Sequence, residues 1–277
     1  MIDLFNADPL FLATFALILL ATGTVAGVLA GLLGVGGGIV IVPVLFNVFP
    51  LLGIDEAVRM HVAVGTSLAT IIPTSIVSAR AHHRRGSMDV GLLKSWGPAV
   101  FVGVLVGSYV GGAVGGPTLT LIFAVVALLV AINMAFRKEG MVIAESLPNG
   151  ILRYAMGAFI GAFSVVMGIG GGTLSVPILT AFNYPIRRAV GTAAALGLII
   201  GLPGAIGFIL AGLDVPDRPP GSLGYANLIG FALIVPATML MAPVGARIAH
   251  TINPSMLRKA FAVFLFLTAC RMFYSLA

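Results

Sequence analysis

Two glycine clusters hold the residues best suited to chemistry. Gly34-Val-Gly-Gly-Gly-Ile-Val-Ile-Val-Pro43 and Gly168-Ile-Gly-Gly-Gly-Thr-Leu-Ser-Val-Pro177 stand 134 residues apart, and each closes one long apolar run and opens a short one. Consecutive glycines weaken a helix by about 1 kcal/mol each relative to alanine. Inside a bilayer such a break is tolerated only where protein or a water-filled cavity satisfies the freed backbone groups. In return, unhindered N–H groups open the next helix, where orphan donors and partial positive charge bind anions. Gly36, Gly37, Gly38 and Pro43, with Gly170, Gly171, Gly172 and Pro177, are therefore candidates for an anion cradle. Close helix packing is the plainer use of such glycines. Their recurrence, with a proline five residues after each triplet, favours a site. The first cluster brushes against a dinucleotide fingerprint, but it lacks the last glycine and does not follow a strand.

Hydroxyl and basic side chains repeat around the clusters. Thr66 and Ser67 follow Gly65, and Thr192 follows Gly191, so each can offer a hydroxyl to an oxyanion. A bond to the residue's own helix backbone is the competing fate. Arg59 and His61 precede the first group, and Arg187 and Arg188 the second. At opposite mouths of two related halves, these four can steer or gate an anion. His82 and His83, among Arg80, Arg84 and Arg85, read as a solvated basic loop. There is no H-E-x-x-H, no nucleophile–His–Asp spacing and no carboxylate pair within an apolar run; the nine acidic residues fall in loops or at segment ends. No catalytic residue, metal or cofactor is expected. A cation transporter usually keeps a midplane carboxylate, so this set suits a negatively charged substrate.

The elements that must position these residues are membrane helices. The 277 residues are 59% hydrophobic and only 9% charged, against about 25% charged in an ordinary soluble domain; mean hydropathy is +1.13. Lipid is the solvent that accepts such a surface. Ten apolar runs emerge, at 10–34, 39–52, 59–81, 91–113, 117–136, 151–168, 172–184, 187–211, 225–249 and 255–275. The second and seventh reach only about 20 Å, so they are either tilted spans or re-entrant pieces. If all ten cross with the N-terminus outside, twelve Lys and Arg residues face the cytoplasm and three (Arg59, Arg218 and Arg271) face outward. Re-entrant short segments give nine against six, so the positive-inside rule prefers ten crossings. Both termini are then outside, in a multi-pass protein of the inner (plasma) membrane. No basic run is long enough for nucleic acid, and the lone Cys270 excludes a disulfide within the chain.

The repeat extends beyond the glycines. Ala63-Val-Gly-Thr66 returns as Ala189-Val-Gly-Thr192, while Pro98, Gly107 and Phe123-Ala-Val125 return 138 residues later as Pro236, Gly245 and Phe261-Ala-Val263. Five crossings separate equivalent points, so the halves face opposite ways, the inverted-repeat plan of many secondary transporters. The expected fold is an all-α integral membrane protein: repeats at 1–136 and 151–277, joined by a cytoplasmic linker at 137–150. The small-residue face Gly103/Gly107/Gly111 fits helix packing within one chain or in a homo-oligomer.

The paired Gly-x-Gly-Gly-Gly-x(4)-Pro motifs, the Val-Gly-Thr elements and the two-half layout resemble the sulfite exporter TauE/SafE family of membrane transporters. The resemblance covers nearly the whole chain. It implies a permease for sulfite, sulfonates or other small organic anions, often outward, driven by membrane potential or a coupled proton or cation. Carried over residue by residue, it marks Gly36 to Gly38, Pro43, Thr66, Gly170 to Gly172, Pro177 and Thr192; Ala193 stands where the first half has Ser67, so a symmetric hydroxyl pair is incomplete. The expected function is an alternating-access anion exporter in the lipid bilayer. The alternatives are an anion channel and a non-transporting membrane enzyme or assembly factor.

Overall fold

The computed structural model describes residues 8–34, 36–136, 143–248 and 254–276, without side chains at 33 and 254–261. Part of the linker (137–142, with Arg137 and Lys138) and the side chains of Arg258 and Lys259 lie outside the described residues. Within them the chain is helical: α1 (Pro9–Leu33), α2 (Gly38–Val48), α3 (Glu56–Arg84), α4 (Val90–Ala113), α5 (Gly116–Phe136), α6 (Ile151–Val166), α7 (Gly172–Ala181), α8 (Ile186–Ala211), α9 (Leu228–Ile248) and α10 (Pro254–Ser275). Among the described residues, six helices (α1, α3, α4, α5, α8 and α9) are long and apolar enough to cross a membrane, and α2, α6 and α7 are shorter apolar helices. The outer surface carries many large apolar side chains. Leu17, Val102, Val106, Leu129, Leu210 and Leu240 stand exposed while Leu45, Leu68, Trp96 and Phe123 are fully buried, which suits a protein whose solvent is lipid.

Local chemistry sets the boundaries. Asp55 caps α3 by accepting from the Ala57 N–H at 2.8 Å, and Asp89 caps α4 by accepting from Leu92 at 2.9 Å. A carboxylate there satisfies an orphan donor and faces the positive end of the helix dipole. The ninth segment starts at 228 rather than 225, because Ser222–Leu223 and Ala226–Asn227 pair as a short antiparallel hairpin. Asn227 then caps α9, its Oδ1 accepting from the Gly230 N–H at 2.8 Å.

Packing places α3 against α8 at the centre, flanked by α1 against α9, α4 against α6, and α5 against α10. In addition α3 meets α9 and α4 meets α8, while α2 packs on α3 and α7 on α8. Exchanging α1 with α6, α2 with α7, α3 with α8, α4 with α9 and α5 with α10 turns each of these pairings into another of them or into itself. Small residues let the backbones approach. A Cβ on Gly27 would lie 2.7 Å from the Thr238 carbonyl oxygen of α9, and one on Gly107 would lie 2.5 Å from the Ala162 carbonyl oxygen of α6. Gly103 meets Ala158 of α6, and Gly111 meets the Phe208 ring of α8. The Gly103/Gly107/Gly111 face is thus used within the chain.

Candidate functional site at two glycine turns

The helices bring the two glycine turns together. α1 ends at Gly34 in the left-handed conformation (φ 68°), and Gly36 and Gly37 follow at φ 70° and 80°, a run that residues with a Cβ rarely adopt. The second turn uses the left-handed region once, at Gly168 (φ 63°), before Gly171 returns to helical angles. A Cβ on Gly36 would stand 3.1 Å from Gly170 Cα, and one on Gly38 would run into the Gly168 carbonyl oxygen. Ser67 Oγ donates to that same Gly168 oxygen at 2.7 Å. Each turn also rests on the opposite central helix. A Cβ on Gly34 would meet the Val190 carbonyl oxygen of α8 at 2.5 Å, and one on Gly168 would meet Val64 Cα of α3 at 3.0 Å.

Both short helices start here without a side-chain cap, at Gly37 and Gly171. Uncapped N-termini keep orphan N–H donors and the positive ends of their dipoles at the junction. Pro43 and Pro177 lie inside α2 and α7. A proline lacks the N–H that would bond four residues back, so the Ile39 and Thr173 carbonyls lose their usual helical donors. Asn47 Nδ2 donates to the Pro43 carbonyl at 2.8 Å, and Thr180 Oγ1 to that of Pro177 at 3.1 Å.

Thr66 and Thr192 lie elsewhere. Thr66 Oγ1 accepts from the Asn227 N–H at 2.8 Å, and Thr192 Oγ1 accepts from the Asp89 N–H at 2.9 Å. Each threonine thereby ties a central helix to the N-cap of the long helix beside it, α3 to α9 and α8 to α4. Of the hydroxyls expected at the cradle, Ser67 is in contact with it.

The basic residues separate into two groups. His61 is buried, and its Nε2 lies 2.9 Å from the Val114 carbonyl oxygen. A carbonyl only accepts, so Nε2 carries the proton. The ring stacks on Tyr225 at 4.7 Å, with Phe208 at 6.5 Å. Arg59 lies over the Phe46 ring at 5.6 Å and donates from Nη2 to the Ile54 carbonyl at 3.3 Å. Arg187 and Arg188 are exposed at the start of α8. His82 departs from the solvated loop expected of it: it is buried, with Nε2 2.9 Å from the Gly31 carbonyl oxygen and Nδ1 3.2 Å from Ser87 Oγ. α3 continues to Arg84 and packs this histidine against the end of α1, whereas His83 is exposed as expected.

Asp89 and Tyr184 form a pair that motif reading passed over. The Tyr184 hydroxyl donates to Asp89 Oδ2 while Asp89 Oδ1 caps α4. The tyrosine bond, and then the Leu92 N–H, hold the Asp89 carboxyl below its ordinary value. Burial first, and the Asp89 bond and charge after it, push the Tyr184 phenol up. One signal was present in the sequence: Asp89 and Asn227 are 138 residues apart, the displacement of the later repeat elements.

Residues 19–272 match the model of the family described as Sulfite exporter TauE/SafE. The chain belongs to this family. A probable membrane transporter protein of Haemophilus influenzae is 36% identical over 94% of this chain and 98% of its own length. Probable membrane transporter proteins of Methanocaldococcus jannaschii and Bacillus subtilis are 28% and 26% identical, over 87% and 93% of this chain and 89% and 97% of their own lengths. No solved structure matches the chain significantly. Family and relatives make the protein a multi-pass membrane transporter, and the glycine turns lie well inside the matched region.

Proposed function

We propose that the protein is a secondary transporter that exports small oxidised-sulfur anions, sulfite or sulfonates, by alternating access in a ten-crossing inverted repeat. The observation that carries this reading is the meeting of two uncapped helix N-termini at the Gly36–Gly170 contact. Two dipole ends converge on one point from different halves of the chain, an arrangement suited to holding a negative charge away from both membrane faces. The exchange symmetry of the helix pairings supports the inverted repeat, since motion of one half relative to the other would open the junction to either side in turn. Thr66 and Thr192 then act as ties at the two mouths. Arg59 and His61 on one side, and Arg187 and Arg188 on the other, act on the anion's approach. An inside-negative potential moves each negative charge outward with about 2.3 kcal/mol per 100 mV, so export of a monovalent anion needs no coupled ion.

Purified protein in liposomes tests this by electrophysiology on a solid-supported membrane and by labelled-sulfite counterflow. The panel is sulfite, thiosulfate, taurine, sulfoacetate, acetate and malate. A saturable current and counterflow for the sulfur anions are expected. A cation current, or a current that never saturates, overturns the reading.

A further inference from the structure

The two turns share their glycine spacing but differ in the side chains around them. Five hydroxyls surround the second turn. Ser67 bonds the Gly168 carbonyl, and Ser175 bonds that of Gly171. Ser164 lies just before the turn, its own carbonyl accepting the Ile169 N–H at 2.9 Å. Thr173 is the second residue of α7. Ser75 of α3 presses on Gly197 of α8, and a Cβ on Gly197 would stand 3.8 Å from the Gly171 nitrogen. The central helices repeat with a displacement of 126 and the turns with one of 134, as the Gly34–Val190 and Gly168–Val64 contacts require. On those displacements the five positions become Ala193, Ile41, Ala30, Ile39 and Gly201 around the first turn, and none has a hydroxyl.

Two of the five hydroxyls are spent on the turn's own carbonyls. The other three, Ser75, Ser164 and Thr173, are 1%, 0% and 5% exposed and make no hydrogen bond. A buried unpaired hydroxyl is costly, and two beside one helix N-terminus, Thr173 and Ser75, are a cost that a bound acceptor would remove. An oxyanion has acceptor oxygens to spare and no donor, so it complements hydroxyls and backbone N–H groups together.

We infer that the hydroxyl ligands of the anion site are one-sided: the substrate binds at the junction with Thr173 and Ser75, beside the α7 N-terminus, as its hydroxyl ligands, and the first turn contributes backbone N–H groups alone. This rests on the transporter reading above and assigns the ligands within it. The site would select small sulfur oxyanions with three acceptor oxygens over carboxylates that carry an apolar body.

The test measures KM for labelled-sulfite efflux from proteoliposomes holding wild-type protein, Thr173→Val, Thr173→Ser, Ser75→Ala or Ile39→Val. Loss of a hydrogen bond to a charged partner predicts a KM raised about tenfold in Thr173→Val and Ser75→Ala. Thr173→Ser and Ile39→Val stay close to wild type. Without substrate, Thr173→Val unfolds at the wild-type temperature or above it, because it removes an unpaired buried hydroxyl and little else. Should Thr173→Val fail to fold, Ser75→Ala and Thr173→Ser carry the comparison. Unchanged KM in Thr173→Val and Ser75→Ala overturns the assignment, as does an equal rise in Ile39→Val. A wild-type protein with no saturable anion flux overturns the transporter reading, and this inference with it.

Discussion

Replacing Gly38 with alanine separates the contact between the turns from ordinary backbone strain. Gly38 opens α2 with helical angles, so alanine suits its conformation and gains about 1 kcal/mol in helix propensity. The cost comes from the other turn. The new methyl would run into the Gly168 carbonyl and stand 2.8 Å from Ser67 Oγ and 3.0 Å from Ile169 Cα. Two of these three atoms are backbone, so relief needs the turns to move apart. Overpacking of this kind costs about 1–3 kcal/mol, and pulling Ser67 from Gly168 adds about 1 kcal/mol. The net loss is about 1–3 kcal/mol. Gly86 is the control. It has φ 66° and nothing within 4 Å, so alanine there meets only the left-handed penalty of about 1–2 kcal/mol. Thermal denaturation in detergent should therefore rank the two variants close together, while labelled-sulfite efflux should disappear in Gly38→Ala and persist in Gly86→Ala. Wild-type stability and flux in Gly38→Ala would refute the contact and the site built on it.

Further outcomes follow from single bonds. Thr66→Val leaves the buried Asn227 N–H without its acceptor and should cost about 1–3 kcal/mol in a denaturation assay, while Thr192→Val frees the half-buried Asp89 N–H and should cost about 1 kcal/mol. Asp89 has a depressed carboxyl pKa in the folded protein, so its contribution is complete above the ordinary value of 3.8 and is lost as pH falls through the folded value. Acid titration of stability should show this loss below about pH 4. Asp89→Asn should flatten that acid edge while keeping the fold, because Asn227 caps α9 with the same geometry. Ser67→Ala should cost about 1 kcal/mol and slow efflux, since the hydroxyl joins α3 to the second turn.

The helices themselves were legible because lipid demands long apolar runs, and the residue types that break them are few. The predicted 91–113, 117–136 and 187–211 differ by one residue at most from the observed ends. The sequence puts the ninth start at 225 because Tyr225, Ala226 and Asn227 are compatible with a membrane helix by composition, and the pairings of Ser222 with Asn227 and Leu223 with Ala226 take them out of it. The glycine turns could be identified, but their contact could not, since nothing local in Gly36 specifies Gly170. Thr66 and Thr192 stand near the glycines in the chain, but in space each answers a donor more than a hundred residues away. His82 differs from its expected exposure for the same reason, its partner Gly31 lying 51 residues upstream. Thr173 stands inside the second glycine motif and Ser75 follows Pro73, but only their burial without partners singles them out from the other hydroxyls.

The pairing of α1 with α9 sets the order in which the protein can be assembled. Gly23, Gly27 and Gly31 present a narrow seam to α9, a helix that begins two hundred residues later. During synthesis α1 must wait in the bilayer with that seam against lipid, and α5 waits likewise for α10. Association therefore follows insertion, and no early fragment holds a finished core. Two chains divided at the linker and made together should find each other and reconstitute the protein, whereas either alone should be cleared by membrane proteases.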